Sequence, residues 1–235
     1  MINLSGQKIL VIGGSSGIGF ATAKLAAELG AAVTIASRTP ERVSAAAAKI
    51  GARGATLDVT DDGAVAAFFA DGEMWDHIIV TGSEVKMAAV KQLPLADARG
   101  SVDSKFWGFY RVARAANIRP GGSLGVVSGF LAHRPAAGRA LMGAINAALE
   151  SLVKGLALEL KPVRVNAVSP AVLETEMWAN MTPEARQAMY DKVAATYPVG
   201  KPGKPEDVAR QLLLLAATQF ATGTVVVLDG GATIG

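Results

Sequence analysis

The chain contains no cysteine, which excludes disulfide frameworks and thiolate metal sites. Histidine is nearly as scarce. His77 and His133 are the two in 235 residues, too few for a metal centre built on imidazoles. Charged residues make up 18% of the chain and the net charge is +3. Lysine and arginine are scattered without a basic run, so the composition gives no support to nucleic-acid binding. No apolar stretch reads as long enough to span a bilayer, so no membrane partner is expected. The opening MINLSGQKILVIGG lacks a basic segment leading into an apolar one and runs straight into a strand pattern. These absences point to a cytoplasmic protein. Tyrosine is also missing from the whole interval between Tyr110 and Tyr190.

What is present is a large apolar fraction, 51%, enough to build a sizeable core. Short apolar runs (KILVIGG, AAVTIAS, RGATLDV, MWDHIIVTG, GGSLGVVSG, VRVNAVSP, GTVVVLDGG) alternate with longer, Ala-rich amphipathic segments. Runs this apolar suit strands buried on both faces, as in a parallel sheet. The alternation predicts one doubly wound α/β domain over residues 1–235, a Rossmann-type parallel sheet of about seven strands. Helices are expected over GIGFATAKLAAELG, TPERVSAAAAKIG, the stretch between RGATLDV and MWDHIIVTG, most of the long segment LPLADARGSVDSKFWGFYRVARAANI, residues from about 137 to 160, and KPEDVARQLLLLAA. Residues 170–203 read as one long irregular connection, a candidate substrate loop. Met177, Trp178, Met181 and Met189 in it suit either an apolar lid or the core side of a helix.

VIGGSSGIG places Gly13, Gly17 and Gly19, with Ser15, Ser16 and Ile18 among them, between the first strand and the first helix. Glycine permits a tight turn and close approach to a pyrophosphate, and the helix N-terminus supplies N–H groups and the positive end of a dipole. The second strand ends in Ser37 and Arg38 with no acid beside them in sequence. An acid here accepts from a ribose 2′-hydroxyl, whereas Arg accommodates a 2′-phosphate. NADP(H) is therefore expected, with NAD(H) less favoured; a solvated Arg38 ahead of a helix is the alternative.

The spacing G-x-x-x-G-x-G, with LDV at 57–59, RVNAVSP at 164–170 and the final GTVVVLDGG, resembles the short-chain dehydrogenase/reductase family over nearly the whole chain. The resemblance implies that Asp58 and Val59 meet the adenine, that Thr81, Gly82 and Ser83 replace the family's N-N-A-G turn near a ribose, and that Pro170 and Thr175 border the nicotinamide. It also implies pairing of helices between subunits, hence a homodimer or homotetramer.

The family's chemistry uses a Ser, a Tyr, a Lys four residues after it, and an Asn on the long helix. Ser128 matches the Ser. Met142 stands at the Tyr position and Asn146 at the Lys position, while Lys105 stands at the Asn position. Lysine and asparagine are thus exchanged, and the tyrosine is not replaced. An unperturbed Tyr near pKa 10 is itself a poor base at neutral pH, so a neighbouring ammonium is part of that chemistry. Lys105, Ser128 with a water, and His133 are the remaining proton-transfer candidates. Two readings stay open. One is an oxidoreductase moving a hydride between NADP(H) and a carbonyl or alcohol through an altered proton relay. The other is a catalytically inactive NADP(H)-binding sensor or assembly partner. The alternative to the exchange is a solvated Lys105 on its helix and an Asn146 that is merely a tolerated polar residue.

Overall fold

The structure, a computed structural model, describes residues 2–235. Each apolar run becomes a parallel strand: β1 Lys8–Ile12, β2 Ala32–Ser37, β3 Arg53–Thr56, β4 Trp75–Val80, β5 Ile118–Val127, β6 Arg164–Pro170 and β7 Val225–Leu228. They form one sheet in the order β3-β2-β1-β4-β5-β6-β7. This is the predicted fold class. Side chains alternate across the sheet, and both faces are covered. Leu10, Ile12, Leu124 and Val126 enter one core layer with Phe109, Leu149 and Val153. Ile9, Val11 and Ile35 enter the other with Ala23, Ala26, Val208 and Leu212.

The helices are α1 Gly17–Glu28, α2 Pro40–Ile50, α3 Asp62–Phe69, α4 Leu95–Val102, α5 Gly108–Ala115, α6 Ala140–Glu159, α7 Pro183–Thr196 and α8 Pro205–Ala217. The α2 boundaries follow from local chemistry: Pro40 opens the helix, and Gly51, in the left-handed conformation, closes it. Between α4 and α5 the helix widens into a π-helical turn, Asp103–Trp107, which carries Lys105.

Two expectations need correction. Residues 170–203 are not wholly irregular, since α7 occupies fourteen of them. Thr182 accepts from the Ala185 N–H and Pro183 opens the helix, a start signal present in the sequence. Only Val193 of α7 is buried, so the helix lacks the apolar stripe that announces a helix. The second correction concerns α6. By length and composition it is apolar enough to cross a membrane, contrary to the sequence expectation. In this fold its Ile145, Leu149, Val153 and Leu156 are buried in the protein core.

The chain reverses direction across the sheet between β1 and β4, each of which leads into a loop at its carboxyl end. Such a crevice is where doubly wound sheets bind ligands, and several of the predicted site residues lie there.

Candidate active site

Glycine is required at the end of β1 for two reasons. Gly13 has φ +83°, a left-handed conformation, and a Cβ there would lie inside contact distance of the Gly82 backbone. A Cβ on Gly82 would in turn come within 2.7 Å of Gly13 Cα. Gly19 packs as tightly under Gly13 and Thr81, whose hydroxyl donates to the Ile12 carbonyl at 3.2 Å. The first turn of α1 therefore lies close beneath the loop. Ser16 caps α1 without a side-chain hydrogen bond, so the N–H groups of Gly17, Ile18 and Gly19 face outward. This cradle fits a pyrophosphate.

Beside it lies a cavity of about 260 Å³ lined by Gly13, Ser15, Ser16, Ser37, Arg38, Asp58, Val59, Gly82 and Ser83, nine of the predicted residues. Ser37 Oγ donates to Ser15 Oγ at 3.0 Å. Asp58 Oδ1 accepts from the Thr60 N–H at 2.9 Å and the Thr60 hydroxyl at 2.8 Å. Burial pushes the Asp58 carboxyl up, but the Thr60 bonds and the charges of Arg38 and Arg111 outweigh it and hold the carboxylate below its usual range. A fixed acceptor suits an adenine amine. Thr175 does not line this cavity; it borders a separate cleft with Gly17 and Phe20 at the other end of the loop. Pro170 is buried at the end of β6.

No acid neighbours Arg38 in sequence, yet the fold supplies one. Glu84 Oε2 accepts from both Nη atoms of Arg38 at 3.1 Å. Glu84 also pairs with Lys86 at 3.2 Å and lines the same cavity. The Glu84 backbone is fixed by Ser104 Oγ, which accepts its N–H at 2.8 Å. Arg42, absent from the sequence candidates, adds a second guanidinium to the cavity wall.

Lys105 and Asn146, the expected exchanged pair, meet. Lys105 Nζ donates to Asn146 Oδ1 at 2.7 Å and to the Ser128 carbonyl at 2.9 Å. Lysine is donor-only, so the amide must turn its oxygen to it. Gly108, three residues on, lets this helix approach the loop after β3: a Cβ there would sit 2.7 Å from Val59 Cγ2. Gly129 does the same for Asn146, whose Nδ2 would lie 2.7 Å from a Cβ. Desolvation lowers the Lys105 ammonium pKa to about 8, and the negative charge of Glu150 opposes the drop. Met142 lies one turn before Asn146 on α6, partly buried, and brings no ionisable group.

Ser128 is buried, and its hydroxyl donates to Glu150 Oε1 at 2.8 Å. To polarise a substrate oxygen it must turn from that carboxylate. Glu150 Oε2 pairs with His133 Nε2 at 3.0 Å. Glu150 escaped the sequence candidates, although it follows Asn146 by four residues and so shares its helix face.

Residues 12–233 match the family model described as enoyl-(acyl carrier protein) reductase. The short-chain dehydrogenase/reductase ATR9 of Stachybotrys chlorohalonatus is 34% identical over 251 residues, covering 99% of both chains. The chain belongs to the short-chain dehydrogenase/reductase family. Among solved members, a small-chain dehydrogenase in complex with NADPH is 34% identical with a TM-score of 0.84, covering 98% of this chain and 100% of that one. The MalC reductase/Diels-Alderase of Malbranchea aurantiaca is 26% identical with a TM-score of 0.92, covering 99% and 98%.

Proposed function

We propose that this protein is an NADP(H)-dependent oxidoreductase that interconverts a carbonyl and an alcohol, with Lys105 as the proton donor in place of tyrosine. The observation that carries the reading is the Lys105–Asn146 bond. Two positions 41 residues apart, each unusual for the family, are bonded at 2.7 Å. A solvated Lys105 would make neither of its two internal bonds. The inactive-sensor reading has no use for an ammonium held in this way.

Gly13, Gly17, Gly19 and the α1 N-terminus would hold the pyrophosphate, Asp58 the adenine, and Thr175 the nicotinamide amide. The cofactor, when bound, supplies the hydride. Everything else falls to the chain. Asn146 Oδ1 and the Ser128 carbonyl fix two protons of Lys105. The third is free for a substrate oxygen, and Lys105 gives it up as that oxygen gains negative charge. Met142 forms an apolar wall, and the exposed Met177, beside Trp178, suits an apolar substrate under the 170–203 segment. Arg38, Arg42 and Ser37 favour a 2′-phosphate, whereas Glu84 competes for Arg38. We further place the protein in the cytoplasm as a homodimer or homotetramer, with no membrane or nucleic-acid partner.

The test is a screen of aldehydes and ketones for NADPH consumption, followed by Lys105→Met on any substrate found. Loss of turnover with retained NADPH affinity supports the proposal. Unchanged turnover rejects Lys105 as donor, and a screen without substrates returns the sensor reading to first place.

A further inference from the structure

We propose that His133 and Glu150 form a proton inlet that reloads Lys105 from solvent after each turnover. The inference rests on Lys105 being the donor. Once Lys105 has protonated the product oxygen, its neutral amine must recover a proton. Its own bonds lead to two groups that cannot supply one, an amide oxygen and a backbone carbonyl. Glu150 is the charge that acts on it.

The geometry makes a hydrogen-bonded row from the surface to the Ser128 hydroxyl, and the Ser128 carbonyl carries the last contact to Lys105. The His133 side chain is about one-third exposed (36%), and its Nε2 lies 3.0 Å from Glu150 Oε2. Glu150 is almost wholly enclosed, with 9% of its side chain accessible. Its other oxygen receives the Ser128 hydroxyl at 2.8 Å. Ser128 also accepts Lys105 through its carbonyl, so this one residue touches both the ammonium and the carboxylate. A buried carboxylate with one oxygen on a rim histidine and the other on an active-site hydroxyl connects solvent to the cage. The second histidine, His77, makes the contrast. It is buried, with its ring nitrogens on Ser123 at 2.8 Å and Gln7 at 2.9 Å, and it touches no site residue.

The transfer balances. The Ser128 hydroxyl turns and gives its proton to the Lys105 amine while taking one from the Glu150 carboxyl. Glu150 takes one from the His133 imidazolium, and His133 takes one from solvent. One proton moves inward, and Ser128, Glu150 and His133 return to their starting states. Neither His133 nor Glu150 touches substrate; both act through Lys105.

The direct test needs no substrate. In protein labelled with ¹⁵N-lysine and saturated with NADPH, NMR measures exchange of the Lys105 Nζ protons with water, the signal being assigned by its loss in Lys105→Met. His133→Ala should slow this exchange by about 100-fold, the low end of what loss of a positioned proton-transfer group costs. Added imidazole should restore it in His133→Ala but not in Glu150→Gln. Unchanged exchange in His133→Ala, or no response to imidazole, overturns the inlet. A kinetic arm uses 4-nitrobenzaldehyde as acceptor. There His133→Ala should slow later turnovers far more than the first, and equal slowing of both contradicts the proposal. If Lys105→Met leaves the first turnover intact, the donor reading fails, whatever the exchange data give.

Discussion

The cofactor cradle and the proton cage are held by different physics. The cradle is backbone against backbone: Gly13, Gly19 and Gly82 leave no room for a Cβ. Its specificity is steric, so it tolerates almost no substitution. The cage is side chain against side chain, with a lysine, an asparagine, a serine, a glutamate and a histidine linked by hydrogen bonds. Its members can exchange places while the inventory of charges and dipoles survives. On the proposed exchange, that difference lets the family's lysine and asparagine trade positions here while the glycine turn stays intact.

The contrast breaks most sharply at Gly13. Gly13→Ala adds a side chain in a left-handed conformation and against Gly82, costing about 3 kcal/mol or more. It should abolish NADPH binding in a calorimetric titration and lower the melting temperature. Lys105→Met should instead leave NADPH affinity intact and cut turnover by ~10²–10⁴-fold, the range for a lost general acid. Met142→Tyr alone should not raise turnover, because the Lys105 ammonium is already held by Asn146 and Ser128.

A third prediction concerns His77. Burial, with the charge of Arg164 adding to it, lowers its pKa to about 4. Its folded value lies below the usual 6.5, so the neutral ring stabilises the fold above pH ~6.5. That stability is lost as pH falls towards 4, roughly 3 kcal/mol from this group. Urea titrations at pH 7 and 4.5 should show a gap that narrows in His77→Gln; an equal gap in both proteins contradicts it.

The smallest effects sit at the adenosine end. Arg38→Ala should remove most of the preference for NADPH over NADH, about 10-fold or more, because charge-assisted bonds to the phosphate are lost. Glu84→Gln should raise NADPH affinity only about two- to fivefold, since the Arg38–Glu84 pair is exposed. Equal NADPH and NADH affinities in the unaltered protein would remove the basis for both.

Most of the sheet was readable because its central strands are short apolar runs closed by turn residues, whereas the edge strand β3, Arg53–Thr56, is mostly exposed. The cradle was readable because its demands fall on consecutive residues. Lys105 and Asn146 were readable because a family pattern fixes two positions whose side chains meet. Glu84 was not, since its approach to Arg38 depends on the β4 loop folding beside the β2 loop, 46 residues away. Glu150 carried a signal, the four-residue step from Asn146, but its link to Ser128 required the sheet register. The helix α7 stayed hidden because it buries almost nothing, and the π-helical turn under Lys105 has no marker in the local sequence.

The most direct test of the central claim is the pH dependence of the single-turnover rate of carbonyl reduction by NADPH-saturated enzyme. In the proposed mechanism the ammonium form of Lys105 is the donor, and its pKa is lowered to about 8. The rate should be flat below that value and fall about tenfold per pH unit above it, with the break absent in Lys105→Met. A profile that stays flat through pH 10, or a break near 8 that survives in Lys105→Met, would contradict the assignment of Lys105 as the proton donor.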